Sequence, residues 1–326
     1  MKIAVLGAGA WGTALAIHLT PRHKVTLWSR NPDHVKRMAQ ERENRRYLPG
    51  CSLPAALQLD SDLAAACQAA DLLIVAVPAA AFRPLLHALQ AYARPLIWLC
   101  KGLEPGTGKR LDQVAEEILP DSIPRGVLSG PSFAQEVAAG LPAALTLASR
   151  DREFAGTVAS ELHGGSLRIY TSEDVIGVEL GGALKNVMAI AAGISDGLGF
   201  GNNARAALIT RAAAEMARLG VALGSHAETI MGLTGMGDLI LTCTGELSRN
   251  RQVGLKLAQG KSLPEILDEL GHVAEGVNTA GEAIKLADQL GVDMPITGAV
   301  KRILFDGLPA RQAVEALLSR SQKNEN

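Results

Sequence analysis

Aromatic residues are scarce, at 3% of 326 residues, while glycine (34) and alanine are abundant and 48% of the chain is hydrophobic. That is the composition of a helix-rich globular protein. Cysteine is rare too. Cys51, Cys67, Cys100 and Cys243 are scattered, with no C-x-x-C, so they read as small core or pocket residues in a reducing compartment. The seven histidines show no metal-ligand spacing, and no metal is expected. A surplus of charge is missing as well: 32 Lys and Arg against 33 Asp and Glu leave a formal charge of -1. That argues against a nucleic-acid or membrane-surface role. No apolar run approaches the roughly eighteen residues of a spanning helix, so no integral membrane segment is expected. Met1-Lys2 leads straight into a strand pattern, which predicts a cytoplasmic chain without a signal peptide.

What is present is concentrated first in Met1–Arg30. Lys2–Leu6 is a short apolar strand, followed by Gly7-Ala8-Gly9-Ala10-Trp11-Gly12, a good helix former over Thr13–Leu19 and a second strand at Lys24–Trp28. In a G-x-G-x-x-G at this place, Gly7 permits the tight turn, Gly9 lets the backbone approach a pyrophosphate, and Gly12 lets helix and strand pack closely. The helix N-terminus offers unpaired N–H groups and a partial positive charge to the phosphates. A single motif of this kind is weak, but strand, turn, helix and strand in one unit predict a dinucleotide site. The second strand ends in Trp28-Ser29-Arg30, with no carboxylate before Asp33. A carboxylate there takes an NAD ribose hydroxyl, whereas an arginine suits a 2′-phosphate. NADPH is therefore the expected cofactor, with NADH as a second possibility.

Further along, Pro32–Glu43 reads as a charged amphipathic helix and the region of Pro49-Gly50-Cys51 as irregular. Leu57–Leu59 reads as a short strand and Leu63–Ala70 as a helix begun by Asp62. Asp71–Pro78 is a continuous apolar strand, as when helices cover both faces. A helix through Phe82, Leu85, Leu86 and Leu89 follows, then strands at Pro95–Cys100, Val127–Ser129, Ala143–Leu147 and Leu167–Tyr170. This alternation predicts an α/β doubly wound, mostly parallel sheet, with the ligand at the carboxyl ends of its strands. After Thr171 only helical patterns remain: Val175–Ser195, Ala204–Leu219, Ser225–Leu233, Arg251–Gln259, Leu263–Leu270, Thr279–Leu290, Ile296–Phe305 and Ala310–Leu318. The expected organisation is a dinucleotide-binding domain over 1–180 and an all-helical, substrate-binding domain over 181–326.

Four places carry chemistry. Lys101 follows a buried strand on its carboxyl side and is suited to a phosphate or carbonyl oxygen. Lys185 lies in Glu179-Leu180-Gly181-Gly182-Ala183-Leu184-Lys185-Asn186, among small and apolar neighbours. Partial desolvation there suits a lysine to proton transfer, and the paired glycines allow close approach of a backbone or ligand. Gly232–Asp238 is a glycine-rich turn delivering one carboxylate, for which capping the next helix is the commoner use. Ser248-Arg249-Asn250-Arg251 puts two arginines in a first helical turn, unfavourable against the helix dipole unless an anion sits alongside.

Taken together and in order, Gly7–Ala16, Lys101-Gly102-Leu103-Glu104, Gly130-Pro131-Ser132-Phe133-Ala134, Glu179–Asn186, Gly232–Asp238 and Ser248-Arg249-Asn250 resemble the bacterial-type NAD(P)-dependent glycerol-3-phosphate dehydrogenases. The resemblance implies a Rossmann-type domain followed by a helical domain. It also implies interconversion of dihydroxyacetone phosphate and sn-glycerol 3-phosphate for phospholipid synthesis, by a homodimer. By the same resemblance Lys185 is the general acid/base, oriented by Asp238. Lys101, Gly130, Ser132, Asp238, Ser248, Arg249 and Asn250 surround the substrate, with Arg249 and Asn250 nearest its phosphate. Gly7, Gly9, Ala10, Trp11, Gly12, Arg30, Lys101, Ala134, Arg249, Val273 and Glu275 match cofactor positions. Ala10 departs from the serine that many members carry, which keeps the turn and loses a hydroxyl.

Two other readings fit parts of the pattern. One is a reductase of the 3-hydroxyacid dehydrogenase or ketopantoate reductase kind, whose substrate carries a carboxylate. Lys101 with Ser248-Arg249-Asn250 is better suited to a dianionic phosphate. The other is an NADPH-binding regulator without turnover, in which Lys185 and Asp238 are structural.

Overall fold

The computed structural model describes residues 1–271 and 274–319. By internal contacts it divides into two units. The first comprises Met1–Lys101 and Arg110–Glu179; the second comprises Gly102–Lys109 and the chain from Leu180 onward.

The first unit contains strands β1 (Lys2–Leu6), β2 (Lys24–Trp28), β3 (Glu43–Asn44), β4 (Leu48–Ser52), β5 (Gln58–Asp60), β6 (Leu72–Val75), β7 (Leu96–Trp98), β8 (Arg125–Ser129), β9 (Ala143–Ala148) and β10 (Leu167–Ser172). Eight of them form one sheet in the order β10-β9-β8-β7-β6-β1-β2-β5. Neighbours run parallel except β8 and β9. The chain moves outward from β1 through β2 on one side and from β6 on the other. The order therefore reverses between β1 and β6, the topological switch point where such sheets bind ligands. Burial on both faces explains the continuous apolar run of β6. Leu73 and Val75 join one apolar cluster, and Leu72 and Ile74 join the other.

Helices α1 (Ala10–Leu19), α2 (Pro32–Glu41), α3 (Leu63–Ala69), α4 (Phe82–Leu89), α5 (Leu111–Ile118), α6 (Ala134–Ala138) and α7 (Arg152–Leu162) complete this unit. Asp62 caps α3 by accepting the N–H groups of Ala64 and Ala65 at 2.8 and 3.2 Å. The stretch expected to be irregular around Pro49-Gly50-Cys51 is instead strand β4, antiparallel to β3. Helix α2 stops at Glu41, because Arg42 turns to φ 50°. Helices α5, α6 and α7 had no counterpart in the sequence reading.

Glu179 closes the first unit from within its core. Its Oε1 accepts Trp98 Nε1–H at 2.7 Å, and the Asp112 N–H lies 3.1 and 3.2 Å from its two oxygens. Burial pushes the Glu179 carboxyl well above the usual carboxylate range, and the nearby Asp112 carboxylate adds to the shift. A carboxyl whose folded pKa is raised contributes stability below its unfolded value, near pH 4.3, and loses it as pH rises through the folded value. Glu179→Gln keeps an acceptor for Trp98 and removes the titration. The variant should therefore melt increasingly above the native protein as pH rises from about 5 to 8. A difference in Tm independent of pH would show that no proton is linked at Glu179.

The second unit is helical among its described residues: the remainder of α8 (Val175–Gly197), then α9 (Gly201–Ala222), α10 (Ala227–Met231), a π-type turn at Leu233–Gly237, α11 (Asp238–Thr244), α12 (Arg249–Ala258), α13 (Leu263–Leu270), α14 (Glu275–Leu290), α15 (Pro295–Phe305) and α16 (Ala310–Leu318). Its core gathers Val187, Ile190 and Ile194 with Val253, Val277 and Val300. Glu215 reaches from α9 to the start of α15, accepting the N–H groups of Ile296 and Thr297 at 2.8 Å each. A distant carboxylate thus satisfies donors that no local cap serves.

Helix α8 is long and apolar enough by composition to cross a membrane, with a window of mean hydropathy 1.5, although Glu179, Lys185 and Asp196 interrupt its apolar run as the sequence reading has it. That window is 89% buried within the protein, which accounts for its apolarity as core packing.

Candidate active site

The first unit places its candidate residues at the carboxyl ends of neighbouring strands. Gly7 leaves β1 at φ 127°, and a Cβ there would lie 2.3 Å from Ala76 O, just past β6. At Gly12 a Cβ would lie 2.1 Å from Gly7 O, so α1 packs directly on the turn. Gly9 differs from both. A Cβ on it would meet nothing within 4 Å, so open space lies in front of it. Gly9 is also the N-cap of α1, without a side-chain cap and with no acidic residue in the first turn. An uncapped helix N-terminus beside open space and the switch point fits a dinucleotide pyrophosphate. Ala10 and Trp11, half-buried, form that first turn. Ala134 packs against α1 through Ala14.

Arg30 stands exposed after β2 and makes no hydrogen bond or ion pair among the described residues. Lys101 follows β7, and its Nζ donates to Gly130 O at 3.1 Å. Ser132 Oγ donates to the same carbonyl at 3.0 Å. Parallel pairing of β7 with β8 is what brings these distant segments together.

The second unit assembles a different chemistry. Lys185, on α8, is 8% exposed, and Asp238, at the start of α11, is 1% exposed. Lys185 Nζ donates to Asp238 Oδ1 at 2.5 Å and to Thr242 Oγ1 at 3.1 Å. The approach depends on Gly181, where a Cβ would lie 2.5 Å from Thr234 O. Backbone contact there seats the π-type turn on α8 and carries Asp238 to the lysine. The Asp238 side chain does not cap a helix, because Gly237 holds the N-cap position. The buried ammonium and carboxylate are each other's counter-charge, and the hydroxyl supplies a further hydrogen-bond partner. Thr242 was not foreseen. Its signal is the four-residue spacing from Asp238, visible only once Asp238–Thr244 is known to be helical.

Ser248 caps α12, accepting the Arg251 N–H at 3.2 Å. The two arginines of that turn have separate fates. Arg251 binds Asp196 through Nε and a terminal nitrogen at 2.9 and 2.7 Å, so α8 already neutralises it. Arg249 is exposed and has no hydrogen bond or ion pair among the described residues. Asn250 is buried and joins three helices: its Nδ2 donates to Asn186 Oδ1 at 3.0 Å, and its Oδ1 accepts the Gly276 N–H at 3.1 Å. Glu275 starts α14, while Val273 lies outside the described residues.

Comparison with known proteins identifies the family. Residues 2–155 match the family model for the NAD-dependent glycerol-3-phosphate dehydrogenase N-terminus, and residues 174–315 match that for its C-terminus. The chain is 59% identical over 327 residues to the glycerol-3-phosphate dehydrogenase [NAD(P)+] of Thiobacillus denitrificans, covering 100% of both chains. It is 60% identical over 322 residues to that of Nitrosomonas eutropha, covering 98% of each. The crystal structure of glycerol-3-phosphate dehydrogenase from Coxiella burnetii superposes with a TM-score of 0.94 at 43% identity, covering 98% of this chain and 99% of that one. With both halves matched in order, the chain belongs to the NAD-dependent glycerol-3-phosphate dehydrogenase family and is an NAD(P)-dependent oxidoreductase.

Proposed function

We propose that the protein reduces dihydroxyacetone phosphate to sn-glycerol 3-phosphate, with Lys185 as the proton donor and NADPH as the favoured reductant. The carrying observation is the buried Lys185–Asp238–Thr242 cluster. When bound, the nicotinamide supplies a hydride to the ketone carbon. Lys185 delivers its proton to the C2 oxygen as negative charge develops there, and takes it back in the reverse direction. Asp238 favours the ammonium form, and with Thr242 it fixes where Nζ stands. Arg249 and the first amides of α12 suit the substrate phosphate, since Ser248 serves as cap and Arg251 is committed to Asp196. Lys101, Gly130 and Ser132 offer a second polar group, and Gly7–Gly12 holds the cofactor pyrophosphate. The resemblance of the motifs extends the proposal to a cytoplasmic homodimer that supplies glycerophospholipid synthesis.

Purified protein with NADPH separates the substrate classes. Rapid NADPH oxidation with dihydroxyacetone phosphate, and little with ketopantoate or a simple 3-keto acid, is expected. The reverse preference would make it a carboxylate-directed reductase, and NADPH binding without oxidation of any would make it a regulator.

Arg30 sets the cofactor preference in this reading. A charge-assisted hydrogen bond to the 2′-phosphate is lost in Arg30→Asp, so KM for NADPH should rise about 10- to 100-fold with little change for NADH. Equal rises for both would remove Arg30 from 2′-phosphate recognition.

A further inference from the structure

Asn44 is fully buried on the short strand β3, a segment that sequence patterning left without a role. Its Nδ2 donates to Ala8 O at 3.0 Å and to Thr13 Oγ1 at 2.8 Å. Its Oδ1 lies 3.0 Å from His34 Nε2. The amide orientation follows from chemistry: a carbonyl only accepts, so the nitrogen faces Ala8 and the oxygen faces His34, whose Nε2 carries the proton. One side chain thus ties the middle of the glycine-rich turn to α1, to the β3–β4 hairpin, and to the helix that follows Arg30.

The consequence lies in the Ala8–Gly9 peptide. Its C=O and N–H belong to one planar trans unit and point in opposite directions. Asn44 holds the carbonyl toward the interior, so the Gly9 N–H is directed away from the core. Space beside Gly9 is open on its Cα side as well, where a Cβ would meet nothing within 4 Å. The conformational freedom of glycine would otherwise let this peptide rotate. We propose that Asn44 is a positioning residue for the dinucleotide, clamping the Ala8–Gly9 peptide so that its N–H faces the pyrophosphate. The proposal rests on reading Gly7–Gly12 as the pyrophosphate cradle.

The test measures Kd for NADPH and NADH by nucleotide fluorescence in the native protein and in Asn44→Asp, Thr13→Val and Gly9→Val. Steady-state constants for dihydroxyacetone phosphate are measured alongside. Asn44→Asp sets a second acceptor against Ala8 O. It should raise Kd for both nucleotides by the same factor, about 10- to 100-fold. At saturating NADPH, kcat and the ketone KM should stay near native values. Thr13→Val keeps the side-chain shape and removes one acceptor of the Asn44 amide; it should weaken both nucleotides equally but less. Gly9→Val separates the two levels of the argument. If it leaves both Kd values unchanged, the cradle reading fails and the proposal with it. If it weakens both while Asn44→Asp and Thr13→Val bind normally, the cradle stands and the clamp is overturned. A fall in kcat and a rise in ketone KM matching the nucleotide loss would make Asn44 a general fold contact, which also overturns it. Should Asn44→Asp fail to fold, Thr13→Val decides, and native Kd values there overturn the clamp.

Discussion

Lys185→Met lowers kcat for ketone reduction on the order of a thousandfold, while NADPH affinity stays near its native value. The size of the effect follows from what is removed: a positioned general acid contributes roughly 10²- to 10⁴-fold. NADPH affinity is spared because, in the proposed mechanism, Gly7–Gly12 and Arg30 hold the nucleotide while Lys185 acts on the ketone oxygen. The substitution also strands Asp238, 1% exposed, without its counter-charge. Breaking a buried pair from one side costs about 3–5 kcal/mol. The melting transition should therefore fall, and the kinetics belong well below it. Stopped assays for turnover and fluorescence titration for NADPH check the two halves of the prediction. Native turnover would take Lys185 out of the mechanism, and a large loss of NADPH affinity would place it in the cofactor site.

Asp238→Asn should lower kcat about 100-fold, because the ammonium loses both its counter-charge and its fixed position. The side chain stays nearly isosteric, so the fall in stability should be smaller than for Lys185→Met. The pH dependence carries the sharper signature. Without the carboxylate at 2.5 Å, the protonated lysine is less favoured. The alkaline limb of the reduction rate should then move to lower pH. A uniform fall in kcat with an unmoved profile would mean that Asp238 only orients Lys185. Native kcat would dissociate Asp238 from the chemistry altogether.

These residues differ in how far their roles could be read from the chain alone. The βα alternation of the sheet was legible because each strand is a short apolar run bounded by turn residues, and parallel strands buried on both faces read that way. The β3–β4 hairpin was not, because Pro49 and Gly50 give a turn signal inside what is a strand. Long-range bonds support that hairpin, with Asn44 reaching back to Ala8 and Thr13. Lys185 stood out as one charge in an apolar helix, and the paired glycines beside it were read as allowing approach of a backbone or a ligand, of which Gly181 meets the Thr234 backbone. Thr242 stayed hidden because no helical pattern was read between Leu233 and Arg251, where Asp238–Thr244 is a helix. Arg251 was noted only as one of two arginines in a first helical turn, unfavourable there unless an anion sits alongside. Its partner Asp196 lies 55 residues earlier, and no local pattern announces such a pairing. Local periodicity revealed the scaffold, whereas partners separated by many residues required the structure.

Label transfer is the most direct test of hydride and proton delivery to a phosphorylated ketone. Enzyme in excess, loaded with NADPH deuterated at nicotinamide C4 on the transferred face, is mixed with dihydroxyacetone phosphate. The account predicts one NADPH consumed per sn-glycerol 3-phosphate formed, with deuterium at C2 of the product and none lost to solvent. NADPH oxidation without deuterium at C2, or without sn-glycerol 3-phosphate as product, would contradict it.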